Sequence, residues 1–140
     1  MKSLRVILVG LLLWFGGAAL AQTVPLHYLS AVSTNSTLVR AGPTYLNALV
    51  VVNTNTTIYY LKLYNKVTAP TCGTDTPVWT VPIPYGASNS GGGVAIPNGS
   101  LQFSAGFGFC ITGGIADSDS SNAATGIAVD LGVSGAPSNP

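Results

Sequence analysis

Hydrophobic residues along this chain fall into short runs separated by turn residues, and no stretch repeats with the 3.6-residue period of an amphipathic helix. The runs are rich in β-branched and aromatic residues, which favour strands. Short strands at this spacing predict an all-β fold, an antiparallel β-sandwich or jelly-roll-like barrel of about seven or eight strands. The strands assigned from the pattern are 32–40, 45–53, 57–65, 77–83, 101–104, 106–112 and 126–133.

Two of these strands carry a further expectation about pairing. The short segment from Thr54 to Thr56 predicts a tight reversal, so that 45–53 and 57–65 form an antiparallel hairpin. The strand 77–83 contains two prolines, which lack a backbone donor, and it is therefore expected to lie at a sheet edge or to be bulged.

The N-terminus has the pattern of an export signal. Lys2 and Arg5 precede an uncharged apolar run over 6–20, which ends in the small-x-small sequence of residues 19–21. We expect a cleaved signal peptide over 1–21, through which the chain contacts the membrane only transiently. An uncleaved membrane anchor is the alternative. A single β-domain is predicted over 22–133, with a flexible loop over 84–93 and a disordered tail over 134–140.

Export gives meaning to the two cysteines. Cys72 and Cys110 can pair only with each other, and in an oxidising compartment we expect them to form a disulfide. Two buried free thiols are the alternative. The expected location is secreted, periplasmic or extracellular, with association to a virion as a further option.

Composition removes most catalytic chemistry. The 140 residues are 47% hydrophobic and only 6% charged, with one histidine, His27, and no glutamate. Acid–base, nucleophilic and metal-assisted mechanisms need such groups, so the protein is not expected to be an enzyme or to hold a cofactor. The chain contains no nucleophile elbow that could act with His27, which is therefore interpreted as an ordinary histidine of a strand or an N-terminal arm. Five lysines and arginines are too few for a nucleic-acid surface.

Two weak constellations remain. Asp117, Asp119 and Ser121 place oxygen atoms at alternate positions, as calcium loops do, although a solvated turn explains them equally. The alternation in 57–65 places Tyr59, Leu61 and Leu63 on the inward face and Tyr60, Lys62 and Tyr64 on the outward face. The aromatic side chains that could form a sugar-binding platform, as opposed to filling the core, include Tyr60, Tyr64, Trp79 and Tyr85.

Two longer motifs resemble a known set of proteins. Residues 61–78 read LKLYNKVTAPTCGTDTPV and are followed by VPIP at 81–84, and residues 111–120 read ITGGIADSDS. Together they are similar to a family of small β-rich proteins of unknown function from tailed-bacteriophage genomes, with the core LKLY-(D/N)-K, APT-x-GTDTPV, IP(I/L)P and ADSDS. The resemblance covers about 33–133 and implies a small β-sandwich encoded near virion genes, without catalytic residues. The signal peptide, Cys72 and Cys110 depart from the family pattern.

These observations favour an exported structural or interaction protein that acts by assembly or surface attachment. Its expected partners are proteins, as a homo-oligomer or within a virion or cell-surface assembly. A secreted carbohydrate- or glycan-binding module is the alternative.

Overall fold

The computed structural model describes residues 22–86, 91–96 and 101–135, and in these ranges the chain forms nine β-strands and no helix. No described helix could span a membrane. The predicted signal peptide lies outside the described residues. The strands are β1 (Val24–Leu29), β2 (Thr37–Ala41), β3 (Thr44–Asn53), β4 (Tyr59–Asn65), β5 (Trp79–Ile83), β6 (Gly92–Ile96), β7 (Leu101–Phe103), β8 (Gly106–Thr112) and β9 (Ile127–Gly135).

The strands form two antiparallel sheets. Sheet A has the order β1-β9-β3-β6, with β7 pairing with β3 beyond β6, and sheet B has the order β2-β8-β4-β5. Because β6 and β7 lie along the same edge of β3, they act as one interrupted strand. Consecutive strands then cross between the sheets at every step except β4 to β5. This connectivity is that of an eight-stranded jelly roll, which confirms the predicted fold class.

The core lies between the two sheets. Leu49 and Val51 of β3 alternate with exposed Val50 and Val52, as a strand with one covered face requires. From sheet B, Phe109 points inward and meets Tyr28 edge to face, with ring centroids 5.2 Å apart. The buried apolar side chains of the core are Leu46, Leu49, Val51, Leu61, Leu63, Val81, Ile83, Phe103, Phe107, Phe109, Ile111, Ala123, Ile127, Val129, Leu131 and Val133.

The predicted hairpin between β3 and β4 is wrong. β3 pairs with β9, β6 and β7 in sheet A, whereas β4 pairs with β8 and β5 in sheet B. The turn after Asn53 therefore carries the chain from one sheet to the other. The side-chain amide of Asn53 stabilises this crossing by donating hydrogen bonds to the carbonyl of Thr57 at 2.9 Å and to that of Ile83 at 3.3 Å. The edge position predicted for β5 is confirmed.

Other boundaries differ from the expectations for local reasons. β2 begins at Thr37 instead of residue 32, because Asn35 adopts a left-handed φ of 51° and bonds back to Ala31. β1 and β6 had not been predicted, and β6 takes the end of the expected 84–93 loop. Residues 134 and 135, which were expected to belong to a disordered tail, are part of β9, and Ser134 is buried. The rest of the expected tail, residues 136–140, lies outside the described chain.

Candidate functional site

The two outer faces of the jelly roll differ in what covers them. The outer face of sheet B lies beneath the β4–β5 loop (residues 66–78) and the β8–β9 loop (residues 113–126). Cys72 of the β4–β5 loop is bonded to Cys110 of β8, which confirms the predicted disulfide. The two loops also meet each other, because a Cβ on Gly73 would lie 2.8 Å from Cβ of Ser120. Gly73 has a φ of +81°, a second reason for glycine at this position.

Lys62 is buried beneath the β8–β9 loop. Its ammonium group donates to the carbonyls of Ala116 at 2.5 Å and Asp119 at 3.1 Å. Burial lowers the pKa of Lys62, and the nearby carboxylates of Asp119 and Asp117 partly offset this. The alternation was right that Lys62 points away from the core. The alternation did not indicate that the β8–β9 loop would cover this side chain or that carbonyl groups of the loop would accept hydrogen bonds from its ammonium group.

Tyr64, a predicted surface residue, is fully buried on the same face. Its hydroxyl has no hydrogen-bond partner within the described chain. Burial raises the pKa of Tyr64 to about 12, with smaller contributions from the negative charges of Asp75 and Asp117. The predicted surface position of Tyr64 is therefore wrong, and its ring is not part of an exposed aromatic surface in the folded chain.

The weak calcium candidates serve the β8–β9 loop itself. The Oδ1 atom of Asp119 accepts hydrogen bonds from the Ser121 hydroxyl at 2.6 Å, the Ser121 amide at 3.0 Å and the Gly114 amide at 3.2 Å. The hydrogen bond from the Ser121 hydroxyl is the main reason that the pKa of Asp119 is lowered. Asp117 belongs to the same loop, but its side chain does not join this network. No group of three or more His, Cys, Asp or Glu side chains in the described ranges is arranged to hold a metal ion.

Asp75 has a similar structural role in the β4–β5 loop. Its carboxylate accepts hydrogen bonds from the Lys66 ammonium and from the Thr71 amide. The hydrogen bond from Lys66 is the largest cause of the lowered pKa of Asp75. Both covering loops are thus organised by one aspartate each.

The remaining aromatic candidates do not form a common platform. Tyr60 is half-buried on the outer face of sheet B, where it is the register partner of Pro82. Trp79 is the register partner of the inward-facing Leu63, so it belongs to the opposite face of that sheet. Trp79 and Tyr85 keep exposed fractions of 40% and 56%. Trp79 lines a shallow apolar groove of about 270 Å³ with Leu46, Asn47, Ala48, Leu49, Ile96 and Leu101.

The outer face of sheet A, by contrast, is not covered by any described segment. We call it the open face; its members alternate with core residues on four neighbouring strands. Leu29 and Val50 keep exposed fractions of 71% and 42%. The members are Pro25, His27 and Leu29 of β1, Ala128, Asp130 and Gly132 of β9, Ala48, Val50 and Val52 of β3, and Gly93 and Ala95 of β6.

One polar pair lies on the open face. His27 and Asp130 are register partners on β1 and β9, and Nδ1 of His27 lies 2.5 Å from Oδ1 of Asp130. Beside this pair, a groove of about 340 Å³ runs over Gly132 between Pro25 and Val50. The face is therefore apolar and shallow, with its single carboxylate already paired. The open face could not be predicted from the sequence, because β1 and β6, which complete it, carry weak strand signals.

A scan against protein families finds no match for this chain, and searches of curated proteins and of solved structures find none either. The resemblance to phage proteins stays a prediction.

Proposed function

We propose that the protein is an exported structural or interaction module, related to the phage β-sandwich proteins, that acts by assembly or surface attachment through the open face. The observation that carries this proposal is the contrast between the two outer faces. The chain covers the outer face of sheet B with its own loops, whereas the described chain leaves apolar side chains of sheet A, among them Leu29 and Val50, in contact with solvent. Contiguous exposed apolar surface is typical of interaction sites.

The distribution of charge supports the same face. Outside the predicted signal peptide the chain has seven charged residues, because two of the nine in the full sequence are Lys2 and Arg5. Five of the seven lie in or beneath the two covering loops: Lys62, Lys66, Asp75, Asp117 and Asp119. The open face has only Asp130, paired with His27. Protein interfaces are likewise poor in charge at their centres.

The size of the open face indicates how it would be used. Four strands about 4.8 Å apart, each contributing roughly five residues at about 3.3 Å, give a footprint of about 300 Å². Specific stable interfaces bury about 800 Å² on each partner. A single contact through this face would therefore be weak. An assembly in which many copies make the same contact is consequently favoured.

Export agrees with the disulfide. A disulfide is typical of a non-reducing extracellular or periplasmic environment. We further propose that the protein is secreted and that it can associate with a virion.

The proposal is tested by concentration-dependent light scattering and by binding to cells or particles. We expect association or surface binding in the wild type and at least a tenfold loss in Val50→Lys, because a lysine would be buried without a partner. Ile115→Lys is the matched control, since Ile115 is exposed on the β8–β9 loop. A wild type that stays strictly monomeric and binds no surface overturns the proposal.

Glycan binding is the second candidate, favoured by the exposure of Trp79 and Tyr85 near the edge strand β5. Jelly rolls also occur among lectins. Under this alternative, Trp79→Ala lowers binding on a glycan array while Val50→Lys does not. An array without any signal excludes it.

A further inference from the structure

The β4–β5 loop is attached to sheet B at few points. At its ends, the Lys66 amide donates to Gly106 at 3.0 Å and the Val78 amide donates to Leu63 at 2.8 Å. Between these ends, Pro70 packs over Gly108 and accepts a hydrogen bond from the Ser36 hydroxyl. The other attachments are the contact of Gly73 with the β8–β9 loop and the disulfide to Cys110.

Apolar burial holds this loop at one place, because Pro70 is buried over Gly108 whereas its neighbours in the loop are exposed or half-buried. None of its residues belongs to the hydrophobic core, and Val67 and Val78 keep exposed fractions of 56% and 58%. Many of its hydrogen bonds are internal, such as those from the Thr74 and Asp75 amides to the Thr71 carbonyl. Segments with few buried apolar contacts open at a low free-energy cost.

The surface beneath the loop is partly polar. Tyr64 and Gly108 are register partners on β4 and β8, so the Tyr64 ring lies next to the site where Pro70 packs. Its hydroxyl is buried without a partner in the described chain, and opening of the loop would let water reach it. Solvation of this hydroxyl favours the open loop, whereas exposure of the Tyr64 ring to water opposes opening, so the loop stays closed while the disulfide is intact.

We propose that the Cys72–Cys110 disulfide is a redox-sensitive latch, whose reduction releases residues 67–77 from sheet B while the jelly roll stays folded. A dithiol reductant supplies the two electrons: the S–S bond breaks, Cys72 and Cys110 each gain a proton, and the dithiol is oxidised to its own disulfide. Release exposes Tyr64 and the Cys110 thiol. Lys62 stays covered, because its two partners belong to the β8–β9 loop.

Hydrogen–deuterium exchange of the purified exported protein, before and after reduction with dithiothreitol at neutral pH, tests this proposal. We expect amides of 67–77 to exchange at least tenfold faster after reduction, while those of β3 and β9 are unchanged. Iodoacetamide should alkylate Cys110 in the reduced folded protein. An amine-reactive reagent should leave Lys62 as slow to react as before, with Lys66 as the reactive control.

Two results overturn the latch. If 67–77 keeps its protection after complete reduction, noncovalent contacts hold the loop. If β3 and β9 lose protection together with 67–77, the disulfide holds the whole fold and not a separate segment. Ser36→Ala in the oxidised protein provides the matched control and should change exchange in the loop by less than twofold. Release of the loop by Ser36→Ala alone would assign its attachment to the hydrogen bond.

Discussion

At the residue scale, Tyr64 shows an imbalance between burial and hydrogen bonding. Its ring is completely buried on the outer face of sheet B, and its hydroxyl has no partner in the described chain. An unsatisfied buried hydroxyl costs about 1–3 kcal/mol. We therefore expect Tyr64→Phe to raise the free energy of unfolding by about 1 kcal/mol, measured by urea denaturation.

Tyr60→Phe is the control for this substitution, because Tyr60 is only half-buried on the same strand. Its effect should stay within about 0.5 kcal/mol. A clear loss of stability in Tyr64→Phe would show that the hydroxyl has a partner, such as a buried water, and would contradict the assignment.

Lys62, Tyr64 and Asp119 also show how far residue-level prediction reaches. The alternation along β4 correctly placed Lys62 and Tyr64 on the side away from the core. Alternation gives the direction of a side chain but not what packs on that side, since the covering loops follow later in the chain. Asp119 looked like a cation ligand for a related reason: carboxylates that hold a loop and carboxylates that hold calcium share the same local sequences.

At the element scale, every sheet edge carries a feature that discourages pairing with another chain. β1 contains Pro25, β2 has a register shift between Leu38 and Arg40, β5 contains Pro82, and the edge formed by β6 and β7 is interrupted. Prolines, bulges and short strands protect edges from strand addition. The edges are therefore poor assembly sites, which leaves the open face as the better one.

Pro25 provides a direct test. The Ser30 amide donates to Ile127 of β9, so alternation directs the backbone groups of residue 25 to the free edge. Pro25→Val restores an N–H donor there. In a Val50→Lys background, which removes the contribution of the open face, we expect Pro25→Val to increase the mass measured by light scattering at high concentration.

Pro84→Val in the same background is the control, because Pro84 lies beyond the end of β5. An unchanged mass for Pro25→Val would mean that Pro25 does not protect the β1 edge.

The order of the strands was harder to predict than their positions. β3, β8 and β9 were found nearly in full, because apolar residues predominate in each of them. The partners of β3 were mistaken, since a short polar turn looks the same whether the next strand pairs or crosses to the other sheet. β6 was missed because Gly92 and Gly93 are typical of a flexible loop. In the structure these glycines let the backbone of β6 lie close to β3, since a Cβ on Gly93 would be 2.4 Å from the Val51 carbonyl oxygen.

At the scale of the whole molecule, charge is segregated to one side. The covered side holds Lys62, Lys66 and three of the four aspartates, and the open face holds the fourth; Arg40 lies on β2, beside Gly135. With so few ionisable groups, the pH dependence of stability is set by a handful of buried or paired side chains. That makes the molecule a simple case for linkage between protonation and folding.

Stability should fall on both sides of neutral pH. Because the pKa values of Asp75 and Asp119 are lowered in the folded chain, the free energy of unfolding decreases as the pH falls below their ordinary value of 3.8. On the alkaline side, the unfolded chain releases the Tyr64 proton near pH 10.0, while the folded chain retains it to about pH 12. Stability therefore decreases as the pH rises through this window, by on the order of 2 kcal/mol.

The alkaline decrease is tested by urea denaturation of the wild type and Tyr64→Phe between about pH 9 and pH 11, a range over which the linkage acts. Lys62 acts in the opposite direction, because its lowered pKa makes the folded chain release a proton before the unfolded chain does. Tyr28, whose pKa is also raised by burial, acts in the same direction as Tyr64. Once Tyr64 is removed, stability should consequently fall less steeply with pH than in the wild type. If Tyr64→Phe loses stability as steeply as the wild type, the decrease arises elsewhere and Tyr64 is not buried as described.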